Sequence, residues 1–292
     1  MSEIANNILI PVDFNETSLV AIEQSYNLAR FLNLSLVLLY VNEEPSFIRG
    51  LFSDDEFEKR KDLILARLNE LAKKAETEAG VTIKSMVTEG RIYEEISRIA
   101  ELLQSKFIVM GTRGSIDDKK IIGANTSRVI RSAPCPVITI NSKHNHNGCR
   151  SILLPLDLTQ ETRQKVSKAI EMAQLFNAKI KVMSALWSKH NVVIHNQLLR
   201  QLKQVQDFIT DAGVNCSAEL VESTGSEKSL VPIILRYARE QGDIDLLIIM
   251  TQQELAIVEF FVSSSAQEVI RTSEIPVMSI VPKELGFTSI MS

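Results

Sequence analysis

Cysteine is scarce in this chain. Cys135, Cys149 and Cys216 are the only three in 292 residues, far apart and without a CxxC pair. An odd number at such spacing builds neither a disulfide framework nor a zinc knuckle. Glycine (11) and proline (8) are also few, while 45% of residues are hydrophobic and 23% charged. That balance excludes collagen-like, low-complexity and disordered chains. Aromatics are limited to one Trp, four Tyr and eleven Phe, and no Lys/Arg cluster accompanies them. Nucleic-acid faces combine a basic stripe with aromatics, so no nucleic-acid partner is expected. Net charge is −4, and residues 1–141 and 150–292 are both mildly acidic. Long apolar runs are missing too: the longest stretch without Asp, Glu, Lys or Arg is Phe31 to Asn42, twelve residues, against about 20 for a membrane span. The start, MSEIANNILIPVDF, lacks the basic and apolar regions of a signal peptide. The expectation is a cytoplasmic chain with no membrane association.

What is present is a repeat. Ile8-Leu9-Ile10-Pro11-Val12-Asp13-Phe14 recurs as Ile152-Leu153-Leu154-Pro155-Leu156-Asp157-Leu158, at an offset of 144. Asn33 and Asn177 keep that offset, and each suits a left-handed helix end. Gly80-Val81 matches Gly213-Val214 at 133, and Phe107-Ile108-Val109-Met110 aligns with Leu247-Ile248-Ile249-Met250 at 140, running on to Pro136-Val137 and Pro276-Val277. Residues are lost from the second copy around Glu43 to Asp54 and gained near Ser223 to Ser229, as loops allow. The expected units are therefore 1–141 and 150–292. The polar, turn-rich stretch 142–149 reads as a linker.

Within each copy, short runs rich in Ile, Val and Leu alternate with longer amphipathic stretches, the pattern of parallel strands joined by crossover helices. Strands are expected near 7–12, 34–41, 82–88, 106–111 and 136–141, with helices near 16–32, 54–79, 92–104 and 124–132. In the second copy the strands fall near 150–156, 178–186, 214–221, 245–250 and 276–281. The 54–79 helix shows an apolar stripe of Phe57, Leu63, Ile64, Leu68 and Leu71; its many charges read as a solvated face. Terminal strands with uncovered apolar edges invite the two copies to pair with each other as a pseudo-dimer.

Gly111-Thr112-Arg113-Gly114, then eight residues, then Gly123 lie between a strand and a helix. Such a loop suits phosphate, because glycines let backbone N–H groups approach and the helix start adds positive charge; it also suits plain tight turning. It is neither a Walker loop nor the first-strand dinucleotide fingerprint. Asp13 follows the first strand, on the edge where open α/β sheets bind ligands. It reads equally as a hydrogen-bond acceptor for a base or sugar and as a partner of Asn15 or Thr17 in capping the next helix. His144, His146 and Cys149 lack further ligands for a metal. His190 and His195, five apart on a helix, do not share a face. No hydrolase triad, HExxH or paired-carboxylate signature is present.

These residues resemble the universal stress protein family in its tandem form. The resemblance rests on Ile8 to Asp13, on Val109 to Gly114 with Gly123, and on Arg128 to Val137. It implies an α/β, Rossmann-like fold in which each copy is a five-stranded parallel sheet of order 3-2-1-4-5 between helices. It also implies dimerisation through fifth strands and, in one subset, ATP or AMP binding. By that match Asp13 and Val41 flank adenine and ribose, Met110 lines the base pocket, and Gly111, Gly114 and Gly123 surround the phosphates. The nucleotide-binding pattern has nine residues before its last Gly and then Ser or Thr; here there are eight, and Ala124 follows. The second copy is expected to have lost the site, with Thr251, Glu254, Ser263 and Ser264 at the matching places.

The expectation is a stress-response or signalling module that binds ATP or AMP weakly in its first copy, with Mg²⁺ accompanying ATP, and that forms a homodimer. Two alternatives stand beside it. One is a slow divalent-dependent ATP hydrolase using Asp117 or Asp118, and the other a scaffold with no nucleotide.

Overall fold

A computed structural model describes residues 6–43, 54–112, 122–141, 148–156, 162–186, 192–227, 229–251 and 264–281. The first copy runs β1 (Asn7–Pro11), α1 (Glu16–Leu32), β2 (Ser35–Asn42), α2 (Asp54–Ala79), β3 (Ile83–Glu89), α3 (Ile92–Leu102), β4 (Phe107–Gly111), α4 (Ala124–Ser132) and β5 (Val137–Ile140). The second runs β6 (Ser151–Leu156), α5 (Thr162–Phe176), β7 (Lys179–Leu186), α6 (Val192–Asp211), β8 (Cys216–Glu222), α7 (Leu230–Gln241), β9 (Leu246–Met250), α8 (Ser264–Thr272) and β10 (Val277–Ile280). The expected strands and first-copy helices are there, the third helix ending at Leu102, two residues early.

All ten strands share one sheet, ordered β3-β2-β1-β4-β5-β10-β9-β6-β7-β8. Each half has the order 3-2-1-4-5 with parallel neighbours. The seam is antiparallel: Val277 faces Thr139, Met278 faces Ile138 and Ser279 faces Val137. The terminal edges thus satisfy one another's backbone groups inside the chain, as a pseudo-twofold pair.

Side chains alternate across the strands. Ile8 and Ile10 face α1, α2, α5 and α6, while Leu9 faces α3, α4, α7 and α8, giving a buried layer on each side of the sheet. Helix ends fall where small left-handed turns are available. Asn33 caps α1 at φ 52 and ψ 48, and Asn177 repeats it at φ 51. In α2 the buried stripe is Leu68, Ala72, Ala75 and Ala79. Leu63, expected on it, is 74% exposed, because five residues before Leu68 it sits about 140° around the helix from that stripe. Phe57 and the stretch 142–147 lie outside the described side chains.

The copies also meet beside the seam, where the Phe107 and Phe176 rings lie 6.2 Å apart and both are almost fully buried. Replacing Phe176 with Ala is expected to cost about 3–5 kcal/mol through the cavity left behind. Urea unfolding followed by amide exchange checks this, and exchange at Leu9 in β1 should accelerate along with that at Leu153 in β6. An unchanged rate at Leu9 would mean that the copies open independently.

Candidate functional site

The order 3-2-1-4-5 places β1 beside β4, and the chain leaves them for opposite faces of the sheet, α1 on one and α4 on the other. A crevice opens at such a point by geometry alone. In the first copy it is a cleft of about 450 Å³, within the usual range for small-ligand sites. Of the residues singled out in the sequence, Asp13, Val41, Met110, Gly111, Gly123 and Ala124 all line it. Gly114, Asp117 and Asp118 lie outside the described residues, as do His144, His146, Asp157 and His190. Thr17, Glu43, Thr112 and Asn125 also line the cleft without having been assigned to the ligand site, since each belongs to a common type and meets the others only in three dimensions.

Asp13 is exposed, and its two carboxylate oxygens accept from the Asn15 backbone N–H at 3.0 Å and the Asn15 side-chain amide at 2.9 Å. Asn15 is the N-cap of α1 but bonds no helix N–H with its side chain. So Asp13 does organise the helix entry, and each oxygen keeps further acceptor capacity at the edge of the cleft that it lines. Between them Phe14 sits at φ 61, a region costly for a bulky side chain. Its ring is held by Tyr40 at 5.6 Å and by the Arg67 guanidinium at 4.1 Å. Beyond Val41, the Glu43 carboxylate accepts the Ile92 N–H at 3.2 Å and thereby caps α3 from outside the helix.

Gly111 has a packing reason. A Cβ there would lie 2.6 Å from the Thr17 Cβ and 2.8 Å from its carbonyl carbon; only a glycine lets the first turn of α1 come so close to the end of β4. The Gly111 carbonyl accepts from the Thr126 hydroxyl at 3.3 Å. The Gly123 N–H donates to the Thr112 carbonyl at 2.9 Å, so this amide is not open to a phosphate, contrary to the expectation from the motif. Ser127 N–H makes the first bond within α4, to Gly123 O at 3.0 Å. The N–H groups of Ala124, Asn125 and Thr126 precede it and have no acceptor in the helix. With the helix dipole, they are the cleft's anion-attracting element. The charged side chains lining the cleft among the described residues, Asp13 and Glu43, are both acids.

Strand register corrects one sequence alignment. Ile8 pairs with Phe107 in the first copy, while Ile152 pairs with Leu246 in the second. The β4/β9 offset is therefore 139, not 140, and Gly111 corresponds to Met250 rather than Thr251. Face parity agrees, because Phe107 and Leu246 share one core layer and Ile108 and Leu247 the other; a one-residue slip would invert both. The residue that restores 140 is inserted between Thr251 and Ser264. Met250 carries the Cβ that Gly111 must lack.

On the second copy's rim, the stretch after β8 closes on itself. The Glu227 carboxylate accepts from the Thr224 hydroxyl at 2.7 Å and N–H at 2.8 Å, from Arg236 Nε at 2.8 Å and from the Ser223 hydroxyl at 2.9 Å. The Thr224 hydroxyl first, then Arg236 and Ser223, hold its pKa down to about 2 from the usual 4.5. Burial pushes the Cys135 thiol up to about 12 and the Cys216 thiol up to about 11, which leaves neither thiol poised as a nucleophile. Among the described residues no group of three or more His, Cys, Asp or Glu could hold a metal, and no helix is long and apolar enough to cross a membrane.

Two outcomes follow from this geometry. Gly111→Ala forces α1 and β4 apart and is expected to destabilise by about 1–3 kcal/mol in urea titration; a wild-type midpoint would contradict the close approach. Glu227 has a lowered folded pKa, so its contribution is complete above pH 4.5 and fades as pH falls toward 2. Protection of the Thr224 amide, its exchange rate relative to the intrinsic rate at the same pH, should fall across that window, and Glu227→Gln should remove that fall.

Comparison with known proteins agrees with the architecture. A model of the universal stress protein family matches residues 5–141 and again 148–280. A universal stress protein of Methanocaldococcus jannaschii is 32% identical over 137 residues, 46% of this chain and 80% of that protein. A second from the same organism is 29% identical over 162 residues, 50% of this chain and all of that protein. Among solved structures, a universal stress protein from Archaeoglobus fulgidus superposes with a TM-score of 0.71 over 96% of this chain and 97% of its own, at 18% identity, a likeness of fold. Matched twice along its length, the chain belongs to the universal stress protein family.

Proposed function

We propose that the first copy is an adenine-nucleotide-binding module, taking AMP or Mg²⁺-bound ATP, within a cytoplasmic stress-response protein. In this reading residues 1–141 carry the ligand, 142–149 link, and 150–292 support. The observation that carries it is the cleft itself, lined by Asp13 and Val41, by Met110, and by Ala124, Asn125 and Thr126, whose N–H groups precede the first bond within α4. A base and ribose suit the first group, a phosphate the last. Pairing of whole chains would need a surface other than the fifth strands, which are already paired internally.

Charge decides between phosphate states. An acid ~4 Å from a phosphate oxygen repels it by about 1 kcal/mol in water and about 4 at an effective dielectric of 20. The helix start returns only about 0.3–1 kcal/mol. Asp13 and Glu43 therefore disfavour bare ATP, and a divalent cation offsets them. The missing hydroxyl at Ala124 withholds a charge-assisted bond of about 1.5–3 kcal/mol, or roughly 10- to 100-fold in affinity.

Calorimetric titration of the full chain tests this. AMP and Mg²⁺-ATP are expected to bind at micromolar affinity or weaker with one site per chain, ATP without Mg²⁺ more weakly still, and Ala124→Ser more tightly. Two sites per chain would return the second copy to consideration. Saturable binding of neither ligand below millimolar concentration would refute the reading.

A further inference from the structure

Asn141 follows β5 immediately and joins three elements. Its side-chain oxygen accepts the hydroxyl of Thr112, a cleft residue, and its amide nitrogen donates to the Ile270 carbonyl. The same nitrogen lies 3.3 Å from the Ser273 carbonyl. Ile270 lies in the last turn of α8 in the second copy and Ser273 just beyond its end, where the last carbonyls have no partner within the helix. The amide orientation is fixed by this arrangement, since only the NH₂ end can face two carbonyls and only the oxygen can face a donating hydroxyl.

Thr112 is in turn tied to the start of α4, because its carbonyl accepts the Gly123 N–H at 2.9 Å. The chain of contacts runs α8, Asn141, Thr112, Gly123, and ends one residue before the N–H groups that face the cleft. Among the described residues the second copy shows no such bridge in return. Thr251, the register equivalent of Thr112, turns its hydroxyl to the Ile280 carbonyl at 3.2 Å. The residue matching Asn141 is Val281, which has no side-chain polar atom. Beside it, Thr139 donates across the seam to the Val277 carbonyl at 3.2 Å, whereas its pseudo-twofold mate Ser279 is fully buried with an unpartnered hydroxyl.

We infer that Asn141 is a positioning residue through which the second copy completes the first copy's cleft: α8 grips Asn141, Asn141 fixes Thr112, and Thr112 sets the anion-facing start of α4. The link to ligand affinity rests on the nucleotide reading above, while the mechanical link does not. Coupling of this kind is reciprocal, so a ligand that engages α4 also tightens the end of α8.

The test uses the full chain with Asn141→Val, the side chain found at position 281, and with Thr112→Val, which cuts the bridge on the first-copy side and leaves the grip of α8 intact. Amide exchange is read at Gly123 and Ser127, whose N–H groups are bonded in the structure, and at Ser273. Without ligand, both variants are expected to speed exchange at Gly123 and Ser127, with Ser273 affected by Asn141→Val alone. With AMP, wild-type Ser273 should slow, and both variants should lose that response and bind AMP about three- to thirtyfold more weakly. Unchanged exchange at Gly123 and Ser127 in folded variants would overturn the inference even if nucleotide binds. Absence of AMP binding by the wild type would sink the nucleotide reading alone, leaving the unliganded exchange to decide the bridge.

Discussion

Three antiparallel residue pairs between β5 and β10 hold the two copies in one sheet, and most of the rest of the molecule depends on that seam. Without it each copy would expose an edge strand whose residues are almost wholly buried in the ten-stranded sheet, an invitation to uncontrolled pairing. With it, both core layers continue from one copy into the other. The Phe107–Phe176 contact and the Asn141 bridge lie against the seam and have meaning only because it forms.

The second constraint is local. Gly111 draws the first turn of α1 onto the end of β4, Thr126 ties α4 to the same glycine's carbonyl, and Thr112 ties it through Gly123. These contacts fix both helices around one crevice, and the left-handed Phe14 between Asp13 and Asn15 is held by Tyr40 and Arg67. In the second copy Met250 stands in the glycine's place, with the Cβ for which the first copy has no room.

Periodicity carried the fold well, because strands buried on both faces and helices with one apolar stripe leave unambiguous signatures in sequence. It located the strands, the first-copy helices and the Asn33 and Asn177 turns. Leu63 escaped it, since five positions before Leu68 an apolar residue falls on another side of the helix. The one-residue register shift also escaped it. Runs such as Phe107 to Met110 and Leu247 to Met250 are so uniformly apolar that two alignments score alike, and only pairing with β1 and β6 separates them. Six of the proposed site residues meet in one cleft, yet the availability of their backbone groups was illegible: Gly123 looked like a phosphate donor until its N–H was found on Thr112. Asn141 gave no signal, because its partners are a hydroxyl 29 residues back and carbonyls 129 and 132 residues ahead.

The antiparallel seam also reverses the direction of the strands between halves. Carboxyl ends of the first copy's strands lie along one rim of the sheet, and those of the second along the opposite rim. After duplication the two rims were therefore free to diverge separately, since a substitution such as the methionine at 250 alters one mouth without reaching the other. The shared interior constrained both copies alike, which accounts for the apolar strands staying recognisably paired while the loops above them drifted apart. A duplicated chain of this geometry can specialise by erosion, one copy keeping a crevice while the other holds it in place from behind.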